Sequence, residues 1–427
     1  MKFTELARNR PTLAAWLDEY NAIGQDYVDR LRAGGLDFAP RDADAAERDA
    51  CKKRLAAKGA RFRNGDASIS SGPLSSACVA CATDEGSRTF YLSLACNRDC
   101  YFCFNTNQAG YEEDRYLKAG WRDELDGFLE GDVPVTHVAL TGGEPLLHPN
   151  ETVAFLERAR EKAPDAHLRL YTDGDFLDES ILTRLRDAGL TEIRLSVKPD
   201  EGGAREEALR RMAIAKRYIP QVMVEMPVIP GTVEEMKGLL RGMDELGVFG
   251  INLLEFGYPM GPWGPFAARG FRIANPPYAI PYNYSYAGGL PVADSELACL
   301  QLVEFALDEK LTLGVHYCSL ENKNRTQIFQ QDSAVALDDA LWQFDENDFF
   351  WRTAKVFDGD VDVAEGLLHA ADAPWARDPD EPSIQFHPRH LPLLAGAAVV
   401  PVISVNVVEQ HDGAPALREL ALLPAEG

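Results

Sequence analysis

VTHVALTGGEPLLHPNETVAFLERAREKAPDAHLRLYT, residues 135–172, runs from a β-branched stretch through a glycine pair into an amphipathic charged segment and back to a second apolar stretch. Stretches of this length at 135–140 and 168–172 predict buried strands, and the segment between them, 151–162, predicts a helix. The same alternation extends in both directions. Further strands are expected at 89–94, 192–197, 221–228 and 250–254, with helices at 118–130, 178–188, 204–218 and 233–246. Six strands alternating with helices imply an α/β fold: a parallel sheet of right-handed βαβ units, with its chemistry at the carboxyl ends of the strands.

Residues 1–60 keep apolar positions near helical spacing and form a helical N-terminal region. Residues 61–87 are rich in Gly, Ser, Asn and Asp and are expected as a loop carrying the pair Cys78 and Cys81. The core is expected over 88–320, with a Pro- and Tyr-rich loop at 256–292, a helix at 294–309 and a strand at 312–317 that delivers Cys318. Residues 321–427 form a mixed C-terminal α+β region, in which the apolar stretch 391–408 is interrupted by prolines and predicts buried strands rather than a membrane span.

The chain has 427 residues, 46% of them hydrophobic, which is ample for a large core. A formal net charge of −24 repels phosphate backbones and anionic membranes, and no basic run offsets it, so neither nucleic acid nor membrane is expected as a partner. The N-terminus lacks the apolar region of a secretory signal, which predicts a cytoplasmic protein with reduced cysteines. Clustered cysteines in such a compartment mean metal or catalysis before disulfides.

Three of the eight cysteines fall within LACNRDCYFCFN, residues 94–105, directly after the first expected strand. Cys96, Cys100 and Cys103 can each take one iron of a cubane cluster, leaving the fourth iron open to a small molecule, whereas a structural zinc usually takes four ligands. This CxxxCxxC, with Phe102 before its last cysteine, resembles the signature of the radical S-adenosylmethionine (SAM) superfamily. A second element of that family appears as TGGEPLL, and the resemblance places recognition of the cofactor's amino group on Gly142, Gly143, Glu144 and Pro145. Adjacent glycines admit a close ligand, and a carboxylate suits an ammonium. Ser196 and Lys198 resemble the polar pair that holds the ribose and carboxylate, or else are solvated strand-end residues. PVIPGTVEE at 227–235 and INLLEF at 251–256 resemble the stretches near the adenine, although Pro227 stands where the family has glycine.

The resemblance covers about 88–256 and implies a partial (β/α)6 TIM-like barrel, a 4Fe-4S cluster, and cleavage of SAM to a 5′-deoxyadenosyl radical that takes a hydrogen atom from substrate. It also implies a one-electron reductant such as flavodoxin or ferredoxin. Installation of a glycyl radical on a partner protein, modification of a peptide, and action on a small molecule all fit an enzyme of this kind. A non-catalytic iron–sulfur electron carrier would have no use for GGEP.

Cys78, Cys81 and Cys318 form a second set, suited to an auxiliary iron–sulfur cluster, with Cys51 or Cys299 as a fourth ligand or with an iron left open, or to zinc, or to no metal. The layout is similar to uncharacterised proteins related to pyruvate formate-lyase activating enzymes. Cys318 is expected at the carboxyl face, and a turn at 84–87 is needed to bring Cys78 and Cys81 to it. Candidates for substrate contact are Tyr171, Asp173, Glu225, Glu255, His316 and the tyrosines at 278–286. Glu225, Glu255 and His316 are the candidate catalytic groups. The direction of the two glutamates depends on strand register, and His316 and Asn322 either orient a ligand of the second site or close a turn.

Overall fold

Alternation of apolar and polar side chains decides how the strands pack. In the computed structural model, residues 7–198, 204–284, 289–411 and 413–425 are described. They divide into two units: one comprises Asp37–Pro277 and Tyr286–Thr326, and the other Met1–Leu36, Tyr278–Ser285 and Gln327–Gly427.

The larger unit is built on β1 (Arg61–Arg63), β2 (Ser68–Ser71), β3 (Ser87–Tyr91), β4 (His137–Thr141), β5 (His167–Thr172), β6 (Glu192–Leu195), β7 (Gln221–Val228), β8 (Gly250–Glu255) and β11 (Gly314–Cys318). A short pair, β9 (Gly257–Tyr258) with β10 (Leu290–Pro291), lies beside it. The nine strands are ordered β1-β2-β11-β8-β7-β6-β5-β4-β3, and β3 to β8 run parallel as expected. The late strand β11 joins them in parallel beside β8, so the parallel set has seven members rather than six. The sheet does not close on itself, which fits a partial barrel.

One face of each strand carries the core: Val138 and Leu140, Leu168 and Leu170, Ile193 and Leu195, Val222 and Val224, and Ile251 and Leu253 are all buried with the surrounding helices. The helix Pro149–Lys162 shows why they pack there, for Thr152, Val153, Phe155, Leu156 and Ala159 recur at helical spacing on its buried side. Burying each such Leu or Phe contributes about 1.5–3 kcal/mol. Asp178 caps Glu179–Asp187 through Ile181 N at 2.8 Å, and Gly247 at φ 63° ends Val233–Leu246 in the left-handed conformation that favours glycine.

Residues 61–87 are not the loop that their composition predicts. β1 and β2 pair antiparallel, and β2 continues onto β11, with Ser70 beside His316 and Ser68 beside Cys318. The helix Ser76–Ala80 follows. Its polar residues misled because Ser68 and Ser70, like their neighbours on the sheet's inner face, are buried although hydrophilic. Within the stretch 256–292, Phe256 stacks on Phe266, and Phe271 and Tyr101 meet Phe266 edge-on. Tyr286 lies outside the described residues.

The smaller unit has a sheet ordered β14-β15-β13-β16-β17, from Trp375–Arg377, Ser383–Phe386, Trp351–Phe357, Val402–His411 and Ala414–Pro424, with β12 (Gln343–Phe344) on β13. Its ladders are all antiparallel. The stretch 391–408 is therefore only partly strand, because its first residues lie in the 3₁₀ turn Pro388–Leu394. The first helix, Pro11–Ala33, is no separate preface: Leu13 and Leu17 pack with Phe357, Val402 and Leu422, and Arg10 pairs with Asp360 at 2.5 Å. No helix among the described residues is long and apolar enough to cross a membrane.

Candidate cofactor and metal sites

Backbone geometry brings the cysteine loop and the GGEP strip together at the carboxyl ends of β3 and β4. Gly143 N donates to Ser93 O at 3.1 Å and Glu144 N to Ala95 O at 2.8 Å. This approach requires glycine. Gly142 has φ 121°, and a Cβ on Gly143 would overlap the Ala95 carbonyl. Asn105 Nδ2, just past Cys103, donates to Gly142 O at 2.6 Å.

The Glu144 carboxylate is not free to meet an ammonium. It is 2% exposed and accepts from Leu146 N at 2.9 Å, Thr172 Oγ1 at 2.8 Å and Asp173 N at 2.7 Å. Its role in this structure is to tie the strip to the end of β5, and burial, with Asp173 nearby, pushes its carboxyl up to about 7. Pro145, buried, starts the turn that follows.

From the other side, Arg98 of the cysteine loop reaches Asp175 at 2.6 and 2.9 Å and Asp173 at 3.2 Å, and Asn97 Nδ2 reaches Asp175 at 2.7 Å. Arg211 joins Asp175 at 2.7 Å. The loop is thus fastened to β5 through charges between its first two cysteines. Phe102 packs edge-on against Phe256, with ring centres 5.8 Å apart, so it also anchors the loop.

Burial raises the thiols of Cys96, Cys100 and Cys103, while Lys198 lowers that of Cys100 through its charge and a hydrogen bond. Lys198 therefore stands at the cysteine loop. Ser196 is exposed, and its backbone N–H donates to Thr172 O at 3.0 Å. Three thiols on one loop, an ammonium at Cys100 and a backbone strip held close by glycines form a donor set that fits a cubane cluster with one iron left for an external ligand. Among the described residues no three His, Cys, Asp or Glu side chains converge tightly enough to grip a single metal ion. A cubane makes a different demand, because each thiolate binds its own iron.

The inner face of the sheet, opposite the helical core, is polar. Arg194, 3% exposed at its side chain, pairs with Glu192 at 2.5 Å and with Glu225. It also lies 3.3 Å from Cys78 Sγ. Tyr171 faces this network, with the Arg169 and Arg194 guanidiniums 5.2 and 5.5 Å from its ring centre. Asn252 Nδ2 donates to Glu225 at 2.6 Å and lies 3.2 Å from Cys78 Sγ. Burial alone would raise the Glu225 carboxyl, but Arg194 and Asn252 outweigh it and hold the group low.

Glu225 therefore points inward and remains a candidate for substrate contact, whereas two other expectations need correction. Glu255 lies on the opposite face, with Ile251 and Leu253, and accepts from Leu320 N at 2.8 Å; burial beside Glu296 pushes it up to about 8. His316 has both ring nitrogens engaged, by Asn252 Oδ1 at 2.9 Å and Ser68 Oγ at 2.8 Å. Since Asn252 directs its amide N–H groups at Glu225 and Cys78, its oxygen faces His316, which assigns the ring proton to Nδ1. Burial then holds the ring neutral, lowering its pKa to about 4. It is a structural residue rather than a proton carrier.

The expected turn at 84–87 is present, with Asp84 and Gly86 both at positive φ and Ser87 N donating to Asp84 O at 3.0 Å. Cys78, Cys81 and Cys318 come together on the inner face. Burial first, then Asp84, Cys318 and Cys78 push Cys81 up to about 12, and burial, with Cys78 among the groups nearby, pushes Cys318 up to about 11. Asn322 Nδ2 lies 3.2 Å from Cys318 Sγ, and Asn64 holds the same amide at 2.7 Å. Cys51 is beside Glu304 and Arg54 instead, and Cys299 is fully buried in the helical layer, near the Leu254 carbonyl, so neither shares the inner face. Tyr278, Tyr282 and Tyr284 pack on one another within the smaller unit. Sequence reasoning missed Arg169, Arg194 and Asn252, whose only signal was a polar residue at alternate positions of strands otherwise rich in Val, Leu and Ile.

The sequence profile described as the Radical SAM superfamily matches residues 90–241. A protein of Methanocaldococcus jannaschii, named "Putative glycyl-radical enzyme activating enzyme", is 30% identical over 289 residues, covering 66% of this chain and 73% of that one. A GTP 3′,8-cyclase of Campylobacter curvus is 36% identical over 172 residues, 39% of this chain and 49% of its own. Among solved structures, Streptococcus suis SuiB bound to the precursor peptide SuiA aligns at 13% identity and a TM-score of 0.40, over 58% of this chain and 52% of SuiB. The chain thus spans about half the length of the cyclase and of SuiB. Agreement between the profile and a relative matched across most of its own length makes this chain a member of the radical SAM superfamily.

Proposed function

We propose that the chain is an enzyme that cleaves S-adenosylmethionine reductively at a 4Fe-4S cluster on Cys96, Cys100 and Cys103. When bound, that cluster supplies one electron to SAM, which parts into methionine and a 5′-deoxyadenosyl radical that takes a hydrogen atom from substrate. The carrying observation is the backbone pairing of Gly143 and Glu144 with Ser93 and Ala95, which sets the GGEP strip against the cysteine loop.

In this reading the chain's residues bind and orient. The backbone carbonyls of 142–145 accept from the cofactor's amino group, while Glu144 fixes their position from behind. Lys198 moves from Cys100 to the cofactor's carboxylate, and Ser196 offers a hydroxyl to its ribose. Substrate enters at the carboxyl ends of the strands, where Asp173 and Glu225 supply negative charge, and is a peptide or a small molecule. The electron comes from a one-electron donor such as flavodoxin or ferredoxin, in the cytoplasm. Cys78, Cys81 and Cys318 offer a second metal centre, iron–sulfur or zinc.

The name of the archaeal relative favours one narrower alternative, activation of a glycyl-radical enzyme. Anaerobic reconstitution with iron and sulfide, followed by dithionite and SAM, tests the proposal: 5′-deoxyadenosine is expected, and none from a fully loaded, reduced cluster would overturn it. Radical formation on a glycyl-radical partner separates the alternative.

A further inference from the structure

Inside the larger unit, buried polar groups are left without partners near Cys78, Cys81 and Cys318. Arg169, on the inner face of β5, is 6% exposed, and its Nε reaches no hydrogen-bond acceptor. Its guanidinium lies over the Tyr171 ring and is near enough to Cys81 to lower that thiol's pKa. Ser70 Oγ, on a residue 1% exposed beside His316, is likewise unpaired. A buried N–H without an acceptor costs free energy unless a ligand supplies one.

Sulfur is the other half of the site. Cys78 and Cys81 flank the end of the helix Ser76–Ala80, and Cys318 ends β11, so three thiols from distant parts of the chain reach one polar interior. Two of them already receive N–H donors, Cys78 from Arg194 and Asn252, and Cys318 from Asn322. Such donors suit thiolates and bridging sulfides, and the unpartnered Arg169 Nε suits one more sulfur acceptor. The three thiols do not converge on one point, which a tetrahedral zinc requires and a polynuclear cluster does not.

We propose that Cys78, Cys81 and Cys318 hold a second iron–sulfur cluster, with Arg169, Arg194, Asn252 and Asn322 as its polar surroundings and one iron left for a donor atom from outside the chain. Nearby candidates for a fourth protein ligand are committed elsewhere: His316 to Asn252 and Ser68, and Glu225 to Arg194 and Asn252. The open iron takes a Lewis-basic group of the substrate, a carboxylate or an amine. Only this last step rests on the reading above, since it assigns the substrate of that reaction; the cluster stands or falls alone.

Iron and sulfide counting on the reconstituted full-length chain tests it without any substitution. About eight irons per chain are expected from two cubanes, and about four would overturn the proposal. A Cys96→Ala, Cys100→Ala, Cys103→Ala variant should keep about four irons and show a reduced-cluster electron paramagnetic resonance signal. In a variant shown to be folded by circular dichroism, no iron, or a single zinc, would contradict it. Adding Arg169→Gln to that triple variant should move the remaining cluster's reduction potential to more negative values, because a positive charge is lost; an unchanged potential would remove Arg169 from the site. Loss of 5′-deoxyadenosine formation with both clusters loaded would instead sink the first reading and leave this one standing.

Discussion

The two cysteine triads differ in how they are assembled. Cys96, Cys100 and Cys103 sit on one irregular loop, half-buried, fastened by the Arg98–Asp175 pair and by backbone bonds to the GGEP strip. Cys78, Cys81 and Cys318 are gathered from a short helix and a strand more than two hundred residues later, within a network of buried charges. A local loop can be lost chemically with little cost to the fold. The inner network cannot, because its charges are buried in pairs.

Substitutions that separate the two give the largest effects. Cys100→Ala should reduce 5′-deoxyadenosine formation to background while leaving the urea midpoint nearly unchanged. Arg194→Ala should do the reverse in kind, costing about 3–5 kcal/mol in urea denaturation, because it strands Glu192 and Glu225 in the interior. If Arg194→Ala were neutral, the inner face would be hydrated and the contrast would fail.

A smaller effect is expected where the first triad meets the strip. Gly143→Ala should destabilise the protein by about 1–3 kcal/mol and weaken SAM binding in calorimetry, since its Cβ would overlap the Ala95 carbonyl. Gly120→Ala, with open space around it and an ordinary φ of −74°, should cost less, about 0.5–1 kcal/mol, because it loses only the preference for glycine at the N-cap of the helix Trp121–Leu129.

Buried carboxyls give the mildest test, with pH as the variable. Glu144 and Asp332 are pushed up to about 7 and Glu255 to about 8, chiefly by burial. Each keeps its proton in the fold at pH values where an unfolded carboxyl, near 4, has lost it, so their contribution falls as pH rises through 7 and 8. His137 and His316, lowered to about 4, act oppositely, but only below about pH 6.5. Metal-free protein should therefore melt at progressively lower temperature from pH 6.5 to 8, and a flat profile would show that these groups are hydrated.

Legibility in the sequence followed the same division. The helix at 233–246 and the strand at 221–228 were readable to the residue because a glycine stop and an alternating apolar pattern are local signals. The cysteine loop and GGEP were equally local. By contrast, SISS at 68–71 reads as a polar loop, and becomes a strand only because β11 and a polar inner face receive it. The first helix joins the smaller unit through Asp358, Asp360 and Leu422, contacts too distant in the chain for any pattern to announce. Glu255 and His316 carried the right chemistry on the wrong face or with their atoms already engaged, which register and pairing decide.

What joins these predictions is the proposal that the loop and strip act as one cofactor site. Its most direct test is the yield of 5′-deoxyadenosine from anaerobically reconstituted, dithionite-reduced protein given SAM: product at several times the unreconstituted background is predicted, and its lack with a spectroscopically intact, reduced cluster would contradict the claim.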